Sequence, residues 1–437
     1  MSDWSFKDLK IYDERICEIA ESHGLDWYPI IYETCDYYEM IGHMSYHGMP
    51  SHYGHWSYGK SFERTHQMYN LGAEGLPYEL IINSDPSIAY LMRENAFYLQ
   101  VLIMAHCVGH SDFFKNNRMF SLTHAESVVP RFRNAKRRIQ SYVEDPSIGI
   151  GNVEKIVDAC HTVQHQTYRY PRKYITTNQR KKELIKEYKE RQERGEEVED
   201  IQLDKIPLQP EYDILGFILE QGSHLKDWEK DIIEIIRDEA LYFMPQIRTK
   251  IMNEGWASYW HYTILHELNL DAEFHLPFLK SHNQVIRPHI GGINPYHVGF
   301  YMFNKIKERH GIEECFLARE VNHDESFLRQ YLTREDCEEL NLFSYSPKRE
   351  NYVVDNVSDE KGWKNVKQGL IKQVGANTIP VIYVESIDEG STLVLHHEHD
   401  GRDLEIDYAE KVVESIKNIW RSPVKLLTII EDEPFEI

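Results

Sequence analysis

The sequence predicts a mainly α-helical N-terminal domain with small strand elements over residues 1–342, followed by a smaller α+β domain over 343–437. Two observations carry this. Long segments with apolar residues at helical spacing dominate the first part. After about Phe343 the texture changes to short runs rich in β-branched residues, interleaved with amphipathic stretches. A chain of 437 residues also exceeds one ordinary hydrophobic core, so at least two domains are expected.

Taken in order, Phe6, Leu9, Ile16 and Ile19 recur at roughly helical spacing, and Gly24 closes that segment. A long helix is predicted from Trp27 to His47 after Pro29, weakened at Gly42. The stretch from Gly48 to Lys60 is rich in glycine, histidine and aromatics without a clean period, which reads as an ordered loop. Tyr78–Asn83 is a short strand or hairpin, and Asp85 with Pro86 marks a helix start. That helix is expected to run to about Phe114, apolar on most sides and so buried. Residues 172–204 hold a dense charge run, an exposed excursion rather than core. Further helices are predicted over Pro245–Leu268 and Pro295–His310. Beyond 343, Tyr352-Val-Val-Asp, Pro380-Val-Ile-Tyr-Val-Glu, Thr392-Leu-Val-Leu-His-His and Leu404-Glu-Ile are expected strands. Gly362–Val374 and Tyr408–Trp420 are the helices between and after them.

Composition narrows the function. Apolar residues at 41% and charged residues at 27% describe a folded chain, not a disordered one. The formal charge of −22 argues against a general nucleic-acid or anionic-membrane binder. No apolar run reaches the ~20 residues of a membrane span. The start lacks the basic end and apolar stretch of a signal peptide, so a cytoplasmic location is expected. Six scattered cysteines without a CxxC pair suit neither a disulfide framework nor a thiolate zinc site. There is no GxGxxG, GxxxxGK[ST] or GxSxG, so nucleotide binding and serine hydrolase chemistry lack support. With 23 histidines in the chain, the chemistry is to be sought where they cluster.

His106-Cys-Val-Gly-His110 places two imidazoles four apart on one helical face, able to share an ion as in HExxH helices. Cys107 stands where the water-activating glutamate of that motif would be. The plain alternative is a pair of buried histidines hydrogen-bonded in a polar core. In the second strong helix, Glu254, Ser258 and His261 share a face, and Glu254 is the expected third ligand of a two-histidine, one-carboxylate site. Its alternative role is a buried partner for an arginine or tyrosine. Zinc is the expected ion, with non-haem iron as the other candidate. Glu33, Glu39 and His261 are candidate bases or supports of the ligands. The stripe Glu33, Asp36, Tyr37, Met40, His43 and His47 lines the same cavity or a solvated face. His52, His55 and Lys60 close over a pocket in one reading, while His266, Glu267 and His275 are expected at the surface. His396, His397 and His399 are read as an exposed strand end.

These stretches resemble the stage V sporulation protein R family. The matching segments are Tyr28-Pro-Ile-Ile-Tyr-Glu-Thr-Cys-Asp-Tyr-Tyr-Glu-Met-Ile, His52-Tyr-Gly-His-Trp-Ser-Tyr-Gly-Lys, Tyr78-Glu-Leu-Ile-Ile-Asn-Ser-Asp-Pro, His106–Phe114, Met252-Asn-Glu-Gly-Trp-Ala-Ser-Tyr-Trp-His261 and Ile293-Asn-Pro-Tyr-His-Val-Gly-Phe. The resemblance implies a cytoplasmic bacterial protein linked to spore-cortex formation, or to stress physiology in non-sporulating bacteria. It also implies a protein partner in a serine protein kinase pathway, with a non-catalytic scaffold role as the alternative to an enzyme. Separately, His106, His110 and Glu254-Gly-Trp-Ala look like the HExxH…EGWA arrangement of some zincin peptidases, which makes the helical domain zincin-like and a metal-dependent hydrolase the expected activity. Cys107 departs from that pattern and leaves the base to come from Glu33, Glu39, His261 or a tyrosine.

Overall fold

The computed structural model describes residues 4–49, 51–71, 79–171, 177–196, 205–289, 292–348, 351–357 and 359–437. From the N-terminus the elements are α1 (Phe6–Ser22), β1 (Ile30–Cys35), α2 (Tyr37–Ser45), α3 (Trp56–Asn70), β2 (Glu79–Ile82), β3 (Ser87–Met92) and α4 (Phe97–Asn116). There follow α5 (Val128–Glu144), α6 (Ile150–Val163), α7 (Thr177–Glu193), α8 (Ile214–Gln221), α9 (Asp227–Arg248), α10 (Lys250–Glu267), α11 (Ala272–Val285), α12 (Pro295–His310), α13 (Ile312–Val321), α14 (Asp324–Tyr331) and α15 (Arg334–Glu339). The chain ends with β4 (Phe343–Lys348), β5 (Asn351–Val357), α16 (Trp363–Ile371), β6 (Ile382–Asp388), β7 (Thr392–His397), α17 (Ile406–Trp420), β8 (Val424–Ile430) and β9 (Glu433–Glu436). The fold is mainly α with a smaller α+β part towards the C-terminus, as the sequence predicts. Among the described residues no helix is long and apolar enough to cross a membrane.

Two compact units form, each from two stretches of chain: residues 1–137 with 245–378, and 138–244 with 379–437. The expected boundary after residue 342 does not coincide with this division. Local texture marks where strands begin, whereas unit membership follows long-range pairing. In the second unit Gln166 donates to the Pro380 carbonyl at 2.9 Å and accepts from the Ile382 amide at 3.0 Å. Glu211 likewise exchanges backbone hydrogen bonds with Val384. These contacts bind residues before 244 to the C-terminal sheet, whose strand order is β6-β7-β8-β9.

The first unit holds a three-stranded sheet of order β1-β3-β2, with β1 parallel and β2 antiparallel to β3. The long helix expected over Trp27–His47 is instead β1 followed by α2. Asp36 ends the strand and caps the helix, accepting from the Tyr38 and Glu39 amides while the Glu39 carboxylate returns to the Asp36 amide. Likewise the helix expected from Pro86 opens as β3, and α4 starts only at Phe97. The run Ser-Ile-Ala-Tyr-Leu-Met is apolar without a decisive period, and pairing with β1 settles it as strand. Pro245–Leu268 divides into the last turn of α9 and all of α10, with a break at Thr249. Leu404-Glu-Ile is not a strand. Glu405 accepts from the Tyr408 amide and caps α17, and the missing strands are β8 and β9. The helix Pro295–His310 is as predicted, with Asn294 as its cap and Pro295 at its first position. Part of the expected aromatic loop is the start of α3. Tyr78 and residues 172–176 and 197–204 of the charge run lie outside the described residues, while α7 covers 177–193 of that run.

Three helices of the first unit meet at backbone contact, and small residues permit it. A Cβ on Gly109 of α4 would lie 2.7 Å from the Ala257 Cα on α10. A Cβ on Gly255 of α10 would lie 2.4 Å from the Gly299 backbone on α12, and one on Gly299 would lie 2.2 Å from the Ile251 carbonyl oxygen. Real Cβ atoms do not approach so closely, so these positions exclude any side chain. Between the two glycine contacts, the Trp256 indole donates to Asp112 at 2.7 Å. The Glu-Gly-Trp-Ala segment is therefore a packing device as well as a source of one carboxylate.

Candidate metal centre

Helix α4 is buried along nearly its whole length, which removes water from His106 and His110. Their rings stand perpendicular, with centroids 4.5 Å apart, as two residues one turn apart on one face must. Helix α10 brings Glu254 opposite them: its Oε2 lies 3.7 Å from His106 Nε2 and 3.4 Å from His110 Nε2. Glu79, at the start of β2, puts Oε1 3.5 Å from His106 Nε2. Donor atoms on one ion at tetrahedral angles and bonds of about 2.0–2.2 Å would be about 3.3–3.6 Å apart. The observed spacings fall at or close to that range. Glu79, His106 and His110 also have donor atoms mutually within 4.8 Å.

The two imidazole side chains are 3% and 6% exposed, whereas Glu79 and Glu254 keep 13% and 17%. Solvent thus reaches the group from the carboxylate side. His106 Nε2 and Glu254 Oε2 are buried without a hydrogen-bond partner. Leaving such atoms unmet in a well-packed core is destabilising by about 1–3 kcal/mol each. The far sides of the rings are engaged. His110 Nδ1 lies 2.9 Å from Asn253 Oδ1, His106 Nδ1 lies 2.8 Å from His261 Nδ1, and His261 Nε2 lies 2.7 Å from His282 Nδ1. Tyr296, at the start of α12, stands near the Glu254 carboxylate, whose charge, together with burial, raises the phenol well above its ordinary value.

The electrostatics follow from burial and proximity. Burial raises the Glu79 carboxyl above the usual range, partly offset by the two imidazoles. Burial opposes ionisation of Glu254 too, but the adjacent His106 and His110 imidazoles prevail and hold it well below the usual range. For His110, desolvation works against the charged form, yet the Glu254 carboxylate wins and raises it. Burial, then the neighbouring imidazoles, pushes His261 well below the ordinary histidine value, and His282 down to about 4. Both are neutral at pH 7. The Cys107 thiol is raised well above its ordinary value by burial, so it stays protonated.

Of the residues singled out from sequence, the structure gathers His106, His110 and Glu254. His261 reaches the group only through the back of His106. Glu39 and Glu33 are not brought there: Glu39 is exposed at the start of α2 and paired with Arg93 at 3.1 Å, and Glu33 is exposed on β1. Neither stands beside the histidines as a base. His43 of the expected stripe stacks on Tyr90 at 3.9 Å. His52 packs among Tyr46, Tyr53, Tyr58 and Phe132. His266 is exposed, as expected, and pairs by ring contact with His275. His397 departs from its expected exposure, being buried against Thr428. Sequence reading missed Glu79, Asn253, Tyr296 and His282 as parts of the group. Glu79 was legible only as the one charged residue leading the apolar run Leu-Ile-Ile.

The fold and this group define a helical protein whose core aims two imidazoles and two carboxylates at one point. The chain belongs to the SpoVR family: the model for SpoVR like protein matches residues 3–379. Among curated relatives, the Escherichia coli (strain K12) protein named Uncharacterized protein YcgB is 32% identical over 484 aligned residues, covering 100% of this chain and 94% of that protein. No solved structure matches.

Proposed function

We propose that His106, His110 and Glu254 hold a divalent cation, zinc before iron, and that the chain is a zincin-like, metal-dependent hydrolase acting in the cytoplasm. The observation that carries this reading is the pair of buried, unpartnered atoms, His106 Nε2 and Glu254 Oε2, spaced as ligands of one ion. The donor set of two imidazoles and one carboxylate suits zinc, and also non-haem iron.

When bound, such an ion supplies Lewis acidity, polarising a carbonyl or making a water molecule acidic. The side chains do the rest. Asn253 accepts from His110 Nδ1–H and so keeps the His110 Nε2 lone pair aimed inward. Tyr296 steadies the Glu254 carboxylate from the α12 side. Glu79 stands at a fourth corner and can accept a proton there, the task that Cys107 cannot perform. The family name ties the physiology to sporulation, and we place the role in spore-cortex formation or a stress response.

Glu79 also motivates a second reading. With its Oε1 as near His106 as the others, it would complete four protein ligands and close the site, as in structural centres. The protein would then be a scaffold or regulator for a partner in a serine protein kinase pathway. Elemental analysis of the full-length protein tests both. Near-stoichiometric metal that disappears in Glu254→Ala and in the His106→Ala/His110→Ala double variant is expected. Metal-free protein with an intact fold would defeat both. Glu79→Gln separates them: metal retained supports the open site, metal lost the closed one.

A further inference from the structure

Two short nitrogen–nitrogen contacts tie three imidazoles into a chain behind the site: His106 Nδ1 to His261 Nδ1 at 2.8 Å, and His261 Nε2 to His282 Nδ1 at 2.7 Å. All three residues are buried. At these separations each contact is a hydrogen bond with one donor and one acceptor. A neutral imidazole carries a single N–H. His261 sits in both contacts, so it must donate at one and accept at the other. With all three rings neutral, only two arrangements are consistent. In the first, His106 donates from Nδ1, His261 donates from Nε2, and His106 Nε2 is a bare lone pair facing Glu79 and Glu254. In the second every bond is reversed and His106 Nε2 carries the proton.

We propose that His261 and His282 are positioning residues that act as one unit, setting His106 in the tautomer that ligates through Nε2. This rests on the reading of His106 as a ligand and deepens it. A ligating histidine needs a partner that accepts its other N–H. Here that partner is not the usual carboxylate or carbonyl but an imidazole, which accepts at Nδ1 only because its own proton is spent on His282. The tautomer of His106, on α4, is thereby decided by α11, two residues away along the chain of contacts.

The test is zinc affinity of the full-length chain, measured by competition with a chelator of known strength. His261→Phe and His282→Phe keep ring bulk but remove the chain, and each is expected to weaken zinc binding about 10- to 100-fold. His261→Gln, which can accept and donate at once, is expected to recover part of that loss. His282→Phe placed in the His261→Phe background is expected to add nothing, because its effect passes through His261. Affinity within twofold of the unaltered protein in a folded His261→Phe variant, or additive losses, would overturn the proposal. Should His261→Phe not fold, nitrogen-15 two-bond spectra of histidine-labelled, zinc-loaded protein decide it: protons on His106 Nδ1 and His261 Nε2 support the proposal, and a proton on His106 Nε2 overturns it. Failure of the unaltered protein to bind zinc would instead remove the metal site itself, a different result from tight binding that ignores His261 and His282.

Discussion

The second compact unit and the histidine–carboxylate group of the first treat buried charge in opposite ways. In the second, Asp213 is buried but fully engaged: its Oδ2 meets the Arg237 guanidinium at 2.6 Å and its Oδ1 caps α8 through the Gly216 amide at 2.9 Å. Arg180 closes on Glu211 at 3.0 Å, and Arg421 closes on Glu229. In the first unit, His106 Nε2 and Glu254 Oε2 face each other at 3.7 Å without forming a hydrogen bond. Closed pairs hold a fold together once formed, whereas unmet groups weaken it unless something else is bound. On the proposed reading, the difference separates structural charge from charge kept for a ligand, without reference to motif.

That contrast can be broken by substitution, beginning with the closed pair. Asp213→Ala takes the Asp213 carboxylate from the half-buried Arg237 guanidinium and removes a helix cap, so a loss of about 3 kcal/mol is expected in chemical denaturation. Zinc stoichiometry should be unchanged; a change would mean that the two kinds of charge are not separate. A smaller loss is expected from Gly255→Ala. Its new Cβ cannot coexist with the Gly299 backbone at 2.4 Å, and overpacking of this kind typically destabilises by about 1–3 kcal/mol. Because α10 carries Glu254, zinc affinity should fall as well, which distinguishes a misplaced ligand from a merely loosened core. Glu254→Gln should have the least effect on the fold. The amide fills the same space without the buried charge, so the unfolding midpoint of metal-free protein should shift less than in either variant above while zinc binding is lost. A collapse of the metal-free fold would place Glu254 among the structural charges.

The same helix α4 holds both behaviours within two residues. Asp112 accepts from the Trp256 indole and the Asp26 amide and lies 3.6 Å from Arg319; burial, opposed by that arginine, leaves its carboxyl at about 6. His110, one half-turn away, meets Asn253 at Nδ1, and its Nε2 faces the Glu254 carboxylate at 3.4 Å. Nothing in His-Ser-Asp distinguishes these roles. They are set by what α10 presents opposite each position.

Sequence alone determined the helical class, the extent of α12, the spacing of His106 and His110 on one face, and the candidacy of Glu254, because each depends on periodicity or chemistry within one short stretch. It misjudged residues 27–47 and 86–92, where apolar runs carry no decisive period and pairing between β1 and β3 chose strand over helix. Tertiary structure alone decided that Glu79 joins the histidines, that Glu33 and Glu39 do not, and that His282 stands behind His261. Those outcomes depend on glycines that let α4, α10 and α12 touch, and on a strand docked beside them. Contacts between residues from 21 to 155 positions apart leave no period in a sequence, so only the folded chain could reveal them.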